Sequence, residues 1–308
     1  WVGDTYPQGV PGILDAAAAV SFGLCNAAIV FGGQAGVLNN SSLADYTQPN
    51  NEFVHPWGFF TAAHFAMVAQ VYFERFKPNR SKLSQIAVDI RNAGSRNPEA
   101  VMFGKGPYQV SDVVKSPLIC DPFHLLDLCL ATEGASAIVI TSLERALDCP
   151  NDPIRILGGA SEWHRQQYVD PVRYDEVGSI GKDAFSRTFA TAGLTPEEID
   201  VFELYDINTW EVVRQFETLG MCDEGEGVDF LFENGIAIDG KYPTNTDGGL
   251  LSFSHTGWGG PNLKIIEAVR QLRSTSTGDQ IVNAETALVT GAGSGAQYFN
   301  SAILAKNR

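Results

Sequence analysis

The feature that most constrains the fold of this chain is a series of short apolar runs separated by helix-forming sequence. Runs of about four to eight apolar residues are typical of buried strands, and their alternation with helices is typical of an α/β fold. The predicted strands lie at residues 26–31 (closed by Gly32 and Gly33), 135–141, 154–157, 200–204, 286–290 and 301–304. The predicted helices lie at residues 12–23, 59–76, 83–91, 182–192, 209–219 and 261–272, with a short one starting near Leu143.

Pro150 and Pro153 mark a joint between two halves that each mix strands and helices. The sequence therefore predicts an N-terminal half over residues 1–150 and a C-terminal half over residues 151–308. Between about residues 37 and 114 the strand pattern gives way to a polar loop and two helices, which predicts an inserted loop domain. The two halves are too dissimilar for periodicity alone to identify a repeat.

Composition excludes several classes of protein. A formal charge of −15 argues against a nucleic-acid partner, because phosphate binding needs clustered Lys and Arg. No apolar run is long enough to span a membrane, and the first residues lack the pattern of a signal peptide. The cysteines form no Cys-x-x-Cys pair, which predicts free thiols, no zinc site and a cytoplasmic location. They are Cys25, Cys120, Cys129, Cys149 and Cys222.

Several stretches, in order, resemble the sterol-carrier-protein type of the thiolase superfamily. They are residues 121–127 (DPFHLLD), 132–136 (TEGAS), 203–206 (ELYD), 225–227 (GEG), 245–252 (NTDGGLLS) and 291–295 (GAGSG). The resemblance implies a duplicated βαβαβαββ unit, a five-layer αβαβα sandwich and a homodimer. It also implies that the chain begins later than family members do, before a helix near Gly12.

The resemblance shows what the site lacks. Thiolases acylate a cysteine at the N-terminus of a buried helix, where the helix dipole and backbone amides lower the thiol pKa. The matching position here falls on or near Tyr6, while Cys25 lies at the far end of that helix. The position of the second thiolase cysteine, which acts as acid and base, falls at about Val289. The sequence thus predicts a site without either sulfur.

The resemblance also indicates which residues remain to do chemistry. Tyr205 takes the place of a His or Asn that helps form an oxyanion hole, and His255 takes that of the histidine that activates the nucleophile. A phenol and an imidazole can both transfer protons or donate to an enolate oxygen. Tyr205 could instead be a packed aromatic with a satisfied hydroxyl, and His255 a structural histidine.

Further residues are expected to bind substrate or shape the site. Asp206 could orient Tyr205 or cap the following helix, and the backbone of the Gly-rich segment could hold the thioester. The predicted substrate-binding residues are Tyr6, Asp206, Asn245, Gly248, Gly249 and Gly293.

The ELYD form without a nucleophilic cysteine is similar to that of steroid side-chain aldolases. The resemblance implies retro-aldol cleavage of a β-hydroxyacyl-CoA to a ketone and a short acyl-CoA such as propionyl-CoA, with coenzyme A as part of the substrate and no covalently bound cofactor. Those aldolases can carry tyrosine at the position of His255, which leaves room for a branched or aromatic acyl group other than a steroid.

The resemblance further implies a small companion protein with a zinc ribbon and an OB fold, which would help an acidic chain to bind anionic coenzyme A. Two other interpretations stay open. One is a non-catalytic thiolase-like subunit that binds acyl-CoA, and the other is a thiolase or acyltransferase that uses a cysteine.

Overall fold

The structure is a computed structural model that describes residues 9–35, 61–163, 177–293 and 298–307. The helices in these ranges are α1 Val10–Ser21, α2 Thr61–Phe76, α3 Arg80–Arg96, α4 Val110–Lys115, α5 Leu143–Leu147, α6 Lys182–Ala192, α7 Thr209–Thr218, α8 Gly227–Asn234 and α9 Gly260–Leu272. The strands are β1 Ala27–Gln34, β2 Leu118–Cys120, β3 Phe123–His124, β4 Gly134–Thr141, β5 Ile154–Trp163, β6 Val201–Glu203, β7 Thr286–Gly293 and β8 Tyr298–Lys306. None of the helices in these ranges is long and apolar enough to cross a membrane.

The first sheet pairs β1 with β4 in antiparallel register, with Ile29 opposite Val139. The prediction that this strand closes at Gly32 and Gly33 is wrong, because β1 runs through both glycines. The reason is the close approach of the two strands there: a Cβ on Gly33 would lie 2.8 Å from the Cβ of Ala135. Glycine lets the ladder continue where a larger residue would separate the strands.

The second sheet has the strand order β5-β8-β7-β6, with β6 parallel to β7 and the other pairs antiparallel. β7 and β8 are longer than predicted. Gly291 and Gly293 were expected in a turn, but they pair with Asn300 and Tyr298 and extend the ladder. The glycine-rich composition predicts a turn, but the segment forms a strand because its partners in β8 supply the hydrogen bonds.

Helices α1 and α9 lie between the two sheets, since each contacts strands of both. Ile13 of α1 and Ile265 of α9 share one apolar cluster with Val289 and Leu304 of the second sheet. Helix α6 packs against β5 and β8 from the other side, where Phe185 stacks near Phe299. The described residues thus supply four layers of the expected five-layer sandwich.

Helix α3, at the centre of the expected loop domain, is longer than predicted and supports the rest of the molecule. It begins after Asn79, whose side chain accepts hydrogen bonds from two backbone amides of the first turn. The buried Arg91 donates to the backbone oxygens of Leu126 and Leu128 at 2.8 and 2.9 Å, which ties α3 to the segment before Cys129. Helix α8 and the β2–β3 hairpin were not predicted. The polar loop predicted at residues 39–53 lies outside the described residues.

Candidate functional site

The site forms where the chain leaves β6, at residues 203–206. Asn245, at φ 51°, accepts from the Leu204 backbone amide at 2.9 Å and donates to the Leu204 oxygen at 3.0 Å. Its side chain therefore takes the place of a neighbouring strand. Because these bonds use its carboxamide and the residue is fully buried, Asn245 shapes the loop from within.

Tyr205 follows directly and is held by its backbone. Its amide donates to Thr290 Oγ1 at 2.8 Å, and its carbonyl accepts from Gln215 Nε2 at 2.9 Å. The two partners come from β7 and α7 and are joined to each other by a hydrogen bond of 2.5 Å. Tyr205 is a buried residue anchored to two elements, an arrangement that holds it in one position.

Asp206 does not cap the next helix. The N-cap of α7 is Asn208, which accepts from the Glu211 amide at 2.9 Å, so the capping alternative for Asp206 is wrong. The carboxylate of Asp206 instead accepts from the backbone amides of Leu250 and Leu251 at 2.9 and 3.2 Å. It thereby fastens the β6–α7 loop to the segment that leads to His255.

That segment is a π-helical turn, Gly249–Phe253, and its glycines are required by close contacts. Gly248 (φ 111°) packs against Gly94 of α3, where a Cβ would lie 2.4 Å from the Gly94 Cα. Gly249 (φ 58°) lies over Asp206, where a Cβ would lie 2.1 Å from the carboxylate. Positive φ and lack of space both favour glycine, and this explains the predicted importance of both positions.

His255 follows the turn and is half-buried. Its backbone amide donates to Thr132 Oγ1 at 3.0 Å and its carbonyl accepts from the Thr132 amide at 3.1 Å. The ring lies over the first residue of α9, since a Cβ on Gly260 would be 2.8 Å from the His255 Cδ2. Burial lowers the pKa of His255 to about 4, against the opposing attraction of Asp206, so the imidazole is neutral at pH 7.

Cys129 lies beside this histidine, with 3.8 Å between its Sγ and the His255 Nδ1. The prediction of a site free of sulfur is therefore wrong in geometry. Burial raises the pKa of the Cys129 thiol to about 12, which favours its protonated form. In the sequence, Cys129 is one of five scattered cysteines. Its signal was its place between two family motifs, residues 121–127 and 132–136.

A buried group of charges lies behind the site and was also missed. Lys264 of α9 has its Nζ 2.9 Å from Asp206 Oδ1 and 3.6 Å from Glu203 Oε2. Burial pulls the pKa of Lys264 down, but the carboxylates of Asp206, Glu203 and Asp247 raise it overall. Burial raises the pKa of Glu203 well above its usual range, with Asp247 adding to the effect. In the sequence, the one indication of this group was a lysine within the predicted helix at residues 261–272.

The remaining predicted positions are spread more widely. Tyr6 lies outside the described residues. Gly293 ends β7 opposite Tyr298, where a Cβ would lie 2.0 Å from the tyrosine hydroxyl oxygen. Val289 is fully buried in the core, and Cys25 lies beyond the C-terminal end of α1 as predicted. At the opposite end of α1, Gly9 packs on Pro261, so the N-termini of α1 and α9 meet close to His255.

The layers and this meeting of two central helices define a protein of the thiolase fold. Residues 163–306 match the family model described as thiolase C-terminal domain-like. The chain is also similar to a solved structure described as an Ltp2-ChsH2(DUF35) aldolase, with a TM-score of 0.81 and 29% identity over 98% of this chain and 78% of that one.

Two curated relatives are more similar in sequence. One is the 17-hydroxy-3-oxo-4-pregnene-20-carboxyl-CoA lyase of Mycobacterium tuberculosis, 36% identical over 82% of this chain and 65% of the relative. The other is a steroid side-chain-cleaving aldolase of Thermomonospora curvata, 35% identical over 78% of this chain and 61% of the relative. The chain spans less than two thirds of the length of either. It is also similar to human sterol carrier protein 2, at 26% identity over 59% of this chain and 34% of that protein.

Proposed function

We propose that this chain is the thiolase-fold subunit of an aldolase that cleaves a β-hydroxyacyl-CoA by a retro-aldol step. The observation that carries the proposal is the environment of His255. Its neutral imidazole lies at the N-terminus of α9, and the thiol next to it has a pKa of about 12. Such a site can stabilise negative charge with nitrogen and oxygen donors, and its sulfur is poorly suited to covalent catalysis.

The reaction asks for two proton transfers and one stabilised anion. A base takes the proton from the β-hydroxyl, the Cα–Cβ bond breaks, and its electron pair moves onto Cα and the thioester oxygen as an enolate. The β-carbon leaves as a ketone, and an acid then protonates Cα. We propose that Tyr205 and His255 divide these proton transfers, since both are oriented by the loops around β6.

The enolate oxygen needs donors that are already in place. The N-terminal ends of α1 and α9 meet beside His255, and a helix N-terminus carries unpaired amides and partial positive charge. We propose that these ends, the His255 ring and the backbone near Gly293 hold the thioester, and that Tyr6 also binds substrate. Asp206, Asn245, Gly248 and Gly249 support the site by shaping the loops that deliver His255 and Tyr205.

The acyl group and the assembly belong to the same proposal. The two curated relatives act on steroid side chains by their names, which supports a steroid side-chain CoA thioester and release of a short acyl-CoA such as propionyl-CoA. The DUF35 component named in the similar aldolase structure supports a companion protein, expected to carry the zinc ribbon and OB fold. A homodimer and a cytoplasmic location complete the proposal.

The test is a panel of hydroxyacyl-CoA substrates incubated with the protein, with and without a DUF35 protein as candidate companion, while released short acyl-CoA is measured. Tyr205→Phe and His255→Ala are each expected to lower turnover roughly a hundredfold or more without changing the melting temperature. Tyr242→Phe, which alters a buried tyrosine of the apolar core, serves as the matched control. Full activity in both site variants would contradict the site, and binding without turnover by the wild type would indicate a non-catalytic subunit.

A cysteine-dependent thiolase is the second candidate, and the contact between Cys129 and His255 is the observation that favours it. A thiolate next to an imidazole is a common nucleophile and base pair. The Cys129→Ala variant separates the two candidates, because an aldolase keeps its turnover and a thiolase loses it. Burial of the thiol and its raised pKa favour the aldolase.

A further inference from the structure

Lys264 is the positive charge closest to the carboxylates behind the site, and it is almost completely buried. It lies in the first half of α9, one turn beyond Gly260, the residue under the His255 ring. Its ammonium forms ion pairs with Asp206 at 2.9 Å and Glu203 at 3.6 Å, and Asp247 adds a third negative charge nearby. One ammonium group thus interacts with three buried carboxyl groups.

These carboxyl groups do not share the lysine equally. Asp206 uses its other bonding capacity for the amides of Leu250 and Leu251, and Asp247 accepts from the Gly249 amide at 2.7 Å. Neither oxygen of Glu203 accepts a hydrogen bond, and its raised pKa favours the protonated form. Burial raises the pKa of Asp247 as well, so the closest charge for Lys264 to balance is that of Asp206, 2.9 Å away.

The turn leads directly to His255, so the Lys264–Asp206 ion pair can affect the imidazole in two ways. Mechanically, Asp206 anchors Leu250 and Leu251, four and five residues before His255. Electrostatically, the charges that act on the ring are Asp206, which favours its protonation, and Lys264, which opposes it. The other neighbours are the neutral Cys129 thiol and the backbone of Leu130, which hydrogen-bonds to the ring.

Removing one partner of a buried ion pair leaves an uncompensated charge, whereas removing both leaves none. Lys264 therefore cannot be replaced by an apolar residue without freeing Asp206 to attract another positive charge. His255 is a group that can acquire one, because its ring already interacts with the charge of Asp206.

We propose that Lys264 is a positioning residue of the site: by holding Asp206 it fixes the turn that delivers His255 and opposes the pull of that carboxylate on the imidazole. The activity part of this inference rests on the proposed aldolase function, and the charge part does not. Lys264 acts through Asp206 and touches no reacting atom.

The first experiment measures the His255 titration by NMR in the absence of substrate, with the signal assigned by its loss in His255→Gln. Lys264→Met is expected to raise the pKa of His255 by roughly one unit or more, because it removes the opposing cation. Asp206→Asn is expected to lower that pKa further. The double variant returns it close to the wild-type value, and Lys182→Met on the surface of α6 leaves it unchanged.

Shifts of the His255 pKa in opposite directions in Lys264→Met and Asp206→Asn would show that the two charges act on the ring, and would exclude a general loosening of the loop. A loosened loop would admit water and raise the pKa of His255 in both. A shift in the same direction in both, or none in Lys264→Met, overturns the proposal. If Lys264→Met does not fold, Lys264→Arg and the charge-neutral double variant still give the comparison, because neither leaves an unpaired buried charge.

The second experiment uses any hydroxyacyl-CoA that the wild type cleaves. Lys264→Met is expected to lower kcat roughly a hundredfold with a small change in KM, and the double variant to recover at least tenfold of that loss. Unchanged kcat in Lys264→Met overturns the inference. If the wild type cleaves no member of the panel, the aldolase proposal fails, while the NMR titration still decides whether Lys264 controls His255.

Discussion

The strands of the β1–β4 sheet and of the β5-β8-β7-β6 sheet are both rich in apolar residues, but the two sheets differ in how far their faces are buried. In β7 and β8 every residue of the ladder between Ala287 and Ala305 that the structure describes is buried. In β1 and β4 alternate residues face outward, and Ile29, Phe31 and Val139 are 72%, 69% and 67% exposed. A sheet covered on both faces can hold its strand ends rigidly, and the loop that carries Tyr205 and Asp206 leaves from that sheet.

The difference extends to charge. Behind the covered sheet, buried ions such as Lys264 and Arg214 are paired in a medium with little water, where their interactions are strong and their loss is costly. The exposed ion pairs are screened by solvent. The strongest ion pairs of the described residues are therefore buried, and the comparison between buried and exposed pairs can be tested directly.

The largest expected effect is on the buried pair of α7. Arg214 donates to both oxygens of Glu211 at 2.8 and 2.5 Å, and both residues are fully buried. Arg214→Met is expected to lower the free energy of unfolding by about 3–5 kcal/mol, because Glu211 would keep a buried, unpaired charge. The control is Arg187→Met in α6, where the pair with Asp183 is exposed and the expected loss is under about 1 kcal/mol. Equal losses in urea denaturation would contradict the comparison.

A matched pair of valines sharpens the same contrast. Val289 of β7 is fully buried between Glu203 and Ala302, whereas Val139 of β4 is mostly exposed opposite Ile29. Val289→Ala is expected to cost about 1–3 kcal/mol through lost burial and the cavity it leaves. Val139→Ala is expected to stay within about 0.5 kcal/mol. A larger loss at Val139 in this chain would mean that its sheet face is covered in solution.

The sequence predicted helices from local patterns and site residues from motifs. Helices such as α6 and α7 were predicted to within a residue, because their periodicity and caps are local. Strand ends at Gly33 and Gly293 were wrong, because ladder pairing depends on a distant partner. Tyr205 and His255 were identified through motifs. Cys129 and Lys264 could not be placed, since their contacts join residues far apart in the chain.

The buried acid Glu267 gives a prediction of pH dependence. Burial, with Asp247, raises the pKa of Glu267 from 4.5 to about 7, so the folded protein binds a proton there that the unfolded chain releases. Its contribution to stability is present below pH 4.5 and is lost as the pH rises toward 7. Glu267→Gln is therefore expected to reduce the decline of melting temperature across that window. An unchanged decline would assign the dependence to other groups, and Glu285→Gln, on a partly exposed residue, is the control.

The smallest expected effect is that of thiol alkylation on the candidate site. Cys149 is exposed, whereas the Cys129 thiol has a pKa of about 12, so at pH 8 roughly one Cys129 in ten thousand is the reactive thiolate. Iodoacetamide is expected to modify Cys149 readily and Cys129 hardly at all, as read by mass spectrometry of peptides over time. The His255 titration and any measured turnover should then remain unchanged. Rapid labelling of Cys129 would show that the imidazole at 3.8 Å activates the thiol, and the buried side of the molecule would then hold a nucleophile after all.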